Sequence, residues 1–188
     1  PYDGTPLVNG DVALAINDGF VDDQGVNLTF TGSRTDEGTT LQGNTFTWEA
    51  KPGTNLDNYA IEAAFGSLTV TPKSIVPTDT NGMKVTAPSD KAYTGAEQKF
   101  VPVVTDGEKT LVEGVDYAVS YTGANGEAKA DFTNVTGSIT VTVAGMGNYA
   151  GGIAQSYQIT PRPYTVVTAG ATKVYNGTGI VGADLEGN

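Results

Sequence analysis

Neither cysteine nor histidine occurs among the 188 residues. Without cysteine there are no disulfides, no thiolate-bound zinc and no thiol nucleophile. Without histidine the one side chain that ordinarily titrates near neutrality is missing. Serine–histidine triads, His-ligated metals and imidazole acid–base catalysis are excluded with it. Positive charge is scarce: 10 basic residues face 21 acidic ones, for a net charge of −11. A phosphate backbone or an anionic bilayer surface would be repelled, which argues against nucleic-acid and membrane partners. No run reaches the roughly 20 apolar residues of a membrane span, and no signal or lipidation motif is present. The chain opens on Pro1 rather than Met and reads as an excised piece, so missing targeting signals carry little weight.

What is abundant is turn and strand chemistry. Glycine contributes 25 residues, and threonine and valine recur in alternation. Val26, Leu28 and Phe30 alternate with Asn27, Thr29 and Thr31. The same period of two runs through Val12, Leu14 and Ile16, through Phe46 and Trp48, and through Ile139, Val141 and Val143. Such stretches form strands with one apolar and one polar face. Turn signals separate them at Asn17-Asp18-Gly19, Asp36-Glu37-Gly38, Asp106-Gly107 and Ala124-Asn125-Gly126. No stretch has a convincing helical period. Residues 59–65 are ambiguous, but Tyr59, Ile61 and Ala63 fit strand alternation, with Gly66-Ser67 as a hairpin turn.

Two motifs repeat. Tyr2-Asp3-Gly4-Thr5 returns as Tyr93-Thr94-Gly95-Ala96 and as Tyr175-Asn176-Gly177-Thr178. Asn58-Tyr59-Ala60, followed by Leu68-Thr69-Val70-Thr71-Pro72, returns as Asn148-Tyr149-Ala150, followed by Tyr157-Gln158-Ile159-Thr160-Pro161. The spacings are 91 residues for Tyr2 to Tyr93 and 90 for Asn58 to Asn148. Two independent motifs with nearly one period indicate a repeat protein. Proline stops strands at the boundaries, Thr71-Pro72-Lys73 and Thr160-Pro161-Arg162-Pro163. The division is therefore a first β unit over 1–72, a second over 73–161, and the opening segment of a third over 162–188. Net charge falls unevenly: −8, −3 and zero along these three segments. The fold class is all-β, with tandem small β-sandwich (Ig-like) modules expected and β-grasp-related modules as the alternative.

Tyr2-Asp3-Gly4-Thr5-Pro6-Leu7, then residues Thr31 to Gly38, then the close at Gly66 to Pro72, together resemble the YDG/MBG-type repeat domains of large Gram-positive surface proteins. The second unit resembles a related repeat through Ala92-Tyr93-Thr94-Gly95, Leu111 to Tyr117, and Gly145 to Gly151. It departs from that pattern between Gly126 and Gly137, where an extra segment runs from Glu127 to Phe132. The resemblance spans essentially the whole chain. It implies no catalytic residues, no cofactor, and a place on the extracellular bacterial surface, with anchoring to the cell wall lying outside this sequence. An extracellular module without disulfides also suits a Gram-positive surface. The implied role is a spacer in a surface adhesin; the alternative is a module that binds glycans, mucin or a host protein directly. Adjacent repeats of the same protein are the other expected neighbours.

Candidate chemistry is sparse. Asp18, Asp22 and Asp23 offer hard oxygen ligands for calcium, but lack EF-hand spacing and read more simply as a solvated loop. Glu113 and Asp116 are a carboxylate pair, yet glycosidase chemistry needs two carboxyls facing across a cleft, and Glu113-Gly114 reads as a turn. Trp48, Tyr117, Tyr121, Tyr149 and Tyr157 could stack on sugars, but aromatics on an apolar strand face are usually core. The sequons at Asn27, Asn134 and Asn176 fit chance in a threonine-rich chain. An internal lysine–asparagine crosslink, a known alternative to disulfides in such modules, is disfavoured because Lys84 and Lys129 alternate with apolar neighbours and should point outward. Finally, Lys84-Val85-Thr86-Ala87 reads as an opening strand of the second unit, with no counterpart before Tyr2. Residues Tyr164 to Thr168 read as such a strand with no unit to join. The tail 163–188 is therefore expected to pair head to tail with a neighbouring molecule or to hang loosely.

Overall fold

The computed structural model describes residues 1–9, 19–170, 172, 174, 175 and 177–179. The expected strand over Val12 to Ile16, the acidic residue Asp18 and the tail beyond 179 lie outside these. Within them the chain is all-β, with two single 3₁₀ turns at Leu56–Asn58 and Ala124–Gly126 as its helical content.

Among the described residues of 1–72 there are four strands: β1 (Val26–Phe30), β2 (Gly38–Asn44), β3 (Phe46–Ala50) and β4 (Gly66–Val70). β1 and β3 run antiparallel, with Leu28 opposite Trp48 and Phe30 opposite Phe46. Thr29 opposite Thr47 and Asn27 opposite Glu49 take the other face, as the alternation requires. β2 pairs with β4, and the register shifts between Thr40 and Asn44, where Gln42 takes a positive φ of 51°. Gly32 abuts this bulge. A Cβ there would collide with the Gly43 carbonyl and the backbone of Asn44 and Thr45, so no other residue fits. Residues 59–65 form no strand, and Gly66-Ser67 opens β4 instead of turning a hairpin. Period-two patterning alone could not anticipate that Tyr59 to Phe65 finds no ladder partner among the described residues.

Ten strands follow: β5 (Lys73–Ser74), β6 (Met83–Val85), β7 (Lys91–Ala92), β8 (Val104–Asp106), β9 (Lys109–Thr110), β10 (Tyr117–Thr122), β11 (Ile139–Gly145), β12 (Tyr149–Ala150), β13 (Gly152–Tyr157) and β14 (Ile159–Thr160). They make two three-stranded antiparallel sheets, β6-β8-β9 and β10-β11-β13, and two short parallel pairs, β5 with β12 and β7 with β14. Ile139, Val141 and Val143 of β11 all point inward, and Thr140 and Thr142 outward. β11 thereby serves two core clusters. Val143 joins Ile75, Met83, Val104, Leu111, Tyr117 and Tyr149. Ile139 and Val141 join Ala130, Tyr157 and Ile159.

Among the described residues no strand of 1–72 pairs with a strand of 73–161. The two segments nonetheless share a closing contact. The Tyr2 amide donates to the Thr71 carbonyl at 2.7 Å, and the Tyr93 amide to the Thr160 carbonyl at 2.9 Å. In each case the aromatic opening motif is tied to the threonine before the boundary proline. Leu68 and Val70 are buried like their counterparts Tyr157 and Ile159.

The expected opening strand over Lys84 to Ala87 is realised as Met83–Val85, but the chain enters the second segment earlier, through β5. The expected strand over Tyr164 to Thr168 is not formed. Residues 161–170 have no regular structure and every one is exposed. No described strand lies beside them, and a lone strand cannot satisfy its own backbone.

Candidate functional site

The residues singled out by sequence scatter. Asp22 and Asp23 are exposed, Asp22 at a positive φ of 40°. Among the described residues no three carboxylates gather into a cation cage. Glu113 is exposed and its backbone bridges to Tyr117. The Asp116 carboxylate accepts the Val112 amide at 2.9 Å, while the Asp116 carbonyl accepts the Met146 amide at 2.8 Å. This carboxylate closes the 112–116 turn. Lys84 and Lys129 are exposed, as alternation required.

The aromatics divide. Tyr117, Tyr149 and Tyr157 are buried; Trp48 and Tyr121 are half-buried, Trp48 against Phe46. The tyrosine hydroxyls hold a segment that no ladder reaches. Tyr157 donates to the Gln98 carbonyl at 3.2 Å and accepts the Phe100 amide at 3.2 Å. Tyr121 donates to the Phe100 carbonyl at 2.6 Å, and Tyr117 to the Pro102 carbonyl at 3.5 Å. Three rings from β10 and β13 thus supply partners for backbone that would otherwise be unpaired. Burial raises the pKa of all three, helped at Tyr117 and Tyr121 by the Glu113 charge.

Next to this clamp is an open depression of about 430 Å³, lined by Glu97, Lys129, Ala130, Asp131, Phe132 and Thr133. It is built from the very segment, Glu127 to Phe132, by which the second unit departs from the repeat pattern. Phe132 packs edge-on to Tyr121 with ring centroids 5.2 Å apart. The Lys99 ammonium sits 4.5 Å from the Tyr121 centroid and 5.6 Å from that of Phe132. The Asp131 carboxylate accepts from the amides of Thr133 and Asn134 at 2.8 and 3.0 Å and from Asn134 Nδ2 at 2.8 Å. These bonds hold its pKa below the ordinary carboxylate value. An aromatic edge, a cation and anchored acceptors are the kinds of group that touch a hydroxylated ligand.

Comparison with protein-family models, with curated proteins and with solved structures returned no match to this chain.

The second locus is the junction of the two segments. Tyr2 lies edge-on to Tyr149 with centroids 5.7 Å apart. The Asn148 amide donates to Asp36 Oδ1 at 2.9 Å and its carbonyl oxygen accepts the Glu37 amide at 2.7 Å. One residue on, the Tyr149 hydroxyl bonds Asp106 Oδ2 at 3.2 Å, and Lys73 Nζ meets Asp106 Oδ1 at 2.6 Å. Burial, then the Asp106 charge, pushes the Tyr149 phenol far above its ordinary value. Sequence reasoning found the Asn-Tyr-Ala motif as a repeat marker but missed its role as a joint. The signal was a polar side chain fixed at that place in both copies.

Proposed function

We propose that the chain is a non-enzymatic spacer: tandem β units of a secreted bacterial surface adhesin of the YDG/MBG type, set in series to carry another domain away from a cell. The observation that carries this reading is the repeated closure, Tyr2 to Thr71 and Tyr93 to Thr160, because it makes the two segments variations on one plan joined end to end. The junction through Asn148, Asp36 and Glu37 supports it, since bonds between consecutive units fix their relative orientation. The test combines small-angle scattering with a glycan and mucin screen on residues 1–188. The spacer reading expects an elongated particle and no specific binding; a compact profile counts against it.

A second reading is favoured by the depression at Phe132. Its occupant would be a glycan held by the ring edge and the Lys129 and Asp131 charges. Specific retention on a glycan surface, lost in Phe132→Ala, would select this reading over the spacer.

A further inference from the structure

We infer that the depression at Phe132 takes a glycan bearing a free amino group, and that the Lys99 ammonium is the resident cation this group displaces. The inference rests on the glycan reading of the depression and names the class of sugar. The chain itself shows what these rings attract. Lys99 Nζ lies 4.5 Å from the Tyr121 centroid and 5.6 Å from that of Phe132. The two rings meet edge to face, with 85° between their planes. The corner between them offers π surface to a single cation.

The corner is fixed and the lysine is not. Tyr121 is held by its hydroxyl, which donates to the Phe100 carbonyl at 2.6 Å. The Phe132 carbonyl accepts the Gln98 amide at 2.8 Å, and its side chain packs against the cluster of Ile139, Val141 and Tyr157. Lys99 is exposed, and its long stem regains rotamer freedom when it is released. Exchanging one ammonium for another keeps the attraction of the rings and returns that entropy.

The surroundings suit an amine better than an acetamide or a hydroxyl. Phe132 belongs both to the corner and to the lining of the 430 Å³ depression, a volume within the range of small-ligand pockets. That lining sets the carboxylates of Glu97 and Asp131 against the one cation of Lys129, a net charge of −1. Asp131 is pinned by the amides of Thr133 and Asn134 and by Asn134 Nδ2. These bonds keep it ionised in weak acid, where a sugar amine is protonated. A hexosamine brings an ammonium for the corner and an apolar ring face for Phe132. Its hydroxyls can donate to the anchored carboxylate in charge-assisted bonds. N-acetylation removes the charge and fills the corner with a neutral group.

Displacement has a signature of its own. While Lys99 holds the corner, the apparent affinity for the sugar is lowered by the fraction of molecules in which the corner is taken. Removing Lys99 therefore tightens binding, whereas removing a group that merely contacts the sugar weakens it.

The experiment is an NMR titration of residues 1–188 in weakly acidic buffer. The probes are the glucosamine trisaccharide, its fully N-acetylated form and the glucose trisaccharide of the same linkage. The glucosamine form should shift the amides of Gln98, Phe132 and Thr133 and move the Lys99 ε-methylene resonances away from the ring current. It should bind at least about tenfold more tightly than either of the others, one charge-assisted contact being worth this much. Lys99→Ala should tighten its binding. Lys129→Gln removes the same charge from the same depression but leaves the corner occupied, so it should tighten binding less. Glu97→Gln, at an exposed position, should weaken binding and leave the rest of the spectrum unchanged. Equal affinity for the three trisaccharides overturns the inference and leaves the glycan reading standing. If none of them shifts these amides, both fall. Equal gains from Lys99→Ala and Lys129→Gln overturn the displacement of Lys99.

Discussion

Asn148 and Asp36 are 112 residues apart in sequence and joined by a 2.9 Å hydrogen bond. The same Asn148 side chain accepts the Glu37 amide, and its backbone carbonyl accepts the Lys73 amide. One residue thus fastens the first segment to the second while seating the second segment's first strand.

Asn148→Ala removes both side-chain bonds and keeps the backbone one. At about 1 kcal/mol per hydrogen bond net of solvent, and with partners exposed, the loss is about 1–2 kcal/mol of coupling between the segments. Residual dipolar couplings should change from one common alignment to two, with each segment's own shifts intact. Unchanged alignment would remove Asn148 from the junction.

Ile75→Ala empties a fully buried site where β5 meets the larger core. The expected cost is about 2–5 kcal/mol, read as a lower urea midpoint for the probes of residues 73–161. Probes of β1 and β3 should keep theirs. A parallel drop in both would mean that the two segments unfold as one.

Tyr117, Tyr121, Tyr149 and Tyr157 all have pKa values raised above the ordinary 10.0, chiefly by burial. Their neutral forms are favoured in the fold. Below pH 10 both folded and unfolded chains hold these protons, so the stability is fully present there. Above it the unfolded chain releases them first, and stability falls with rising pH. Alkaline unfolding should therefore begin near pH 10 and be cooperative with phenolate absorbance. Tyr157→Phe, which cannot ionise but also frees Gln98 and Phe100, should lose stability at neutral pH and lose part of the alkaline slope. Smooth ionisation of Tyr117, Tyr121 and Tyr157 without unfolding would contradict the clamp.

Asp116 should matter to stability, and neither it nor Glu113 to turnover. Asp116→Ala frees the Val112 amide and costs about 1–2 kcal/mol, whereas exposed Glu113→Ala should change little. Glycoside, ester and peptide substrates should show background hydrolysis. Turnover abolished by either substitution would refute the non-enzymatic reading.

The antiparallel core was legible because its signal is local. β1, β3 and β11 fall on the alternating runs through Leu28, Trp48 and Val141. The parallel pairs were not, since Lys73 finds Tyr149 across 76 residues and two-residue strands carry no period. Gly66-Ser67 misled for the same reason: turn residues also fit a strand edge. Tyr164 to Thr168 has strand composition and no strand, because a ladder needs a partner that composition does not supply. The tyrosines could be assigned to the core, but not their hydroxyls to the 98–102 backbone. The depression at Phe132 was visible only as a departure from the repeat.

The boundary threonine–proline pairs lie beside the two parallel pairs, and this orientation decides how the second segment meets a pull. Tension applied at Pro72 draws β5 along its own axis past β12. Tension at Pro161 draws β14 along its axis past β7, in the opposite sense. Both contacts are loaded in shear, with their hydrogen bonds stressed together instead of being unzipped one at a time. A chain pulled from both ends would meet its resistance first at these two short pairs, before the longer antiparallel sheet is disturbed.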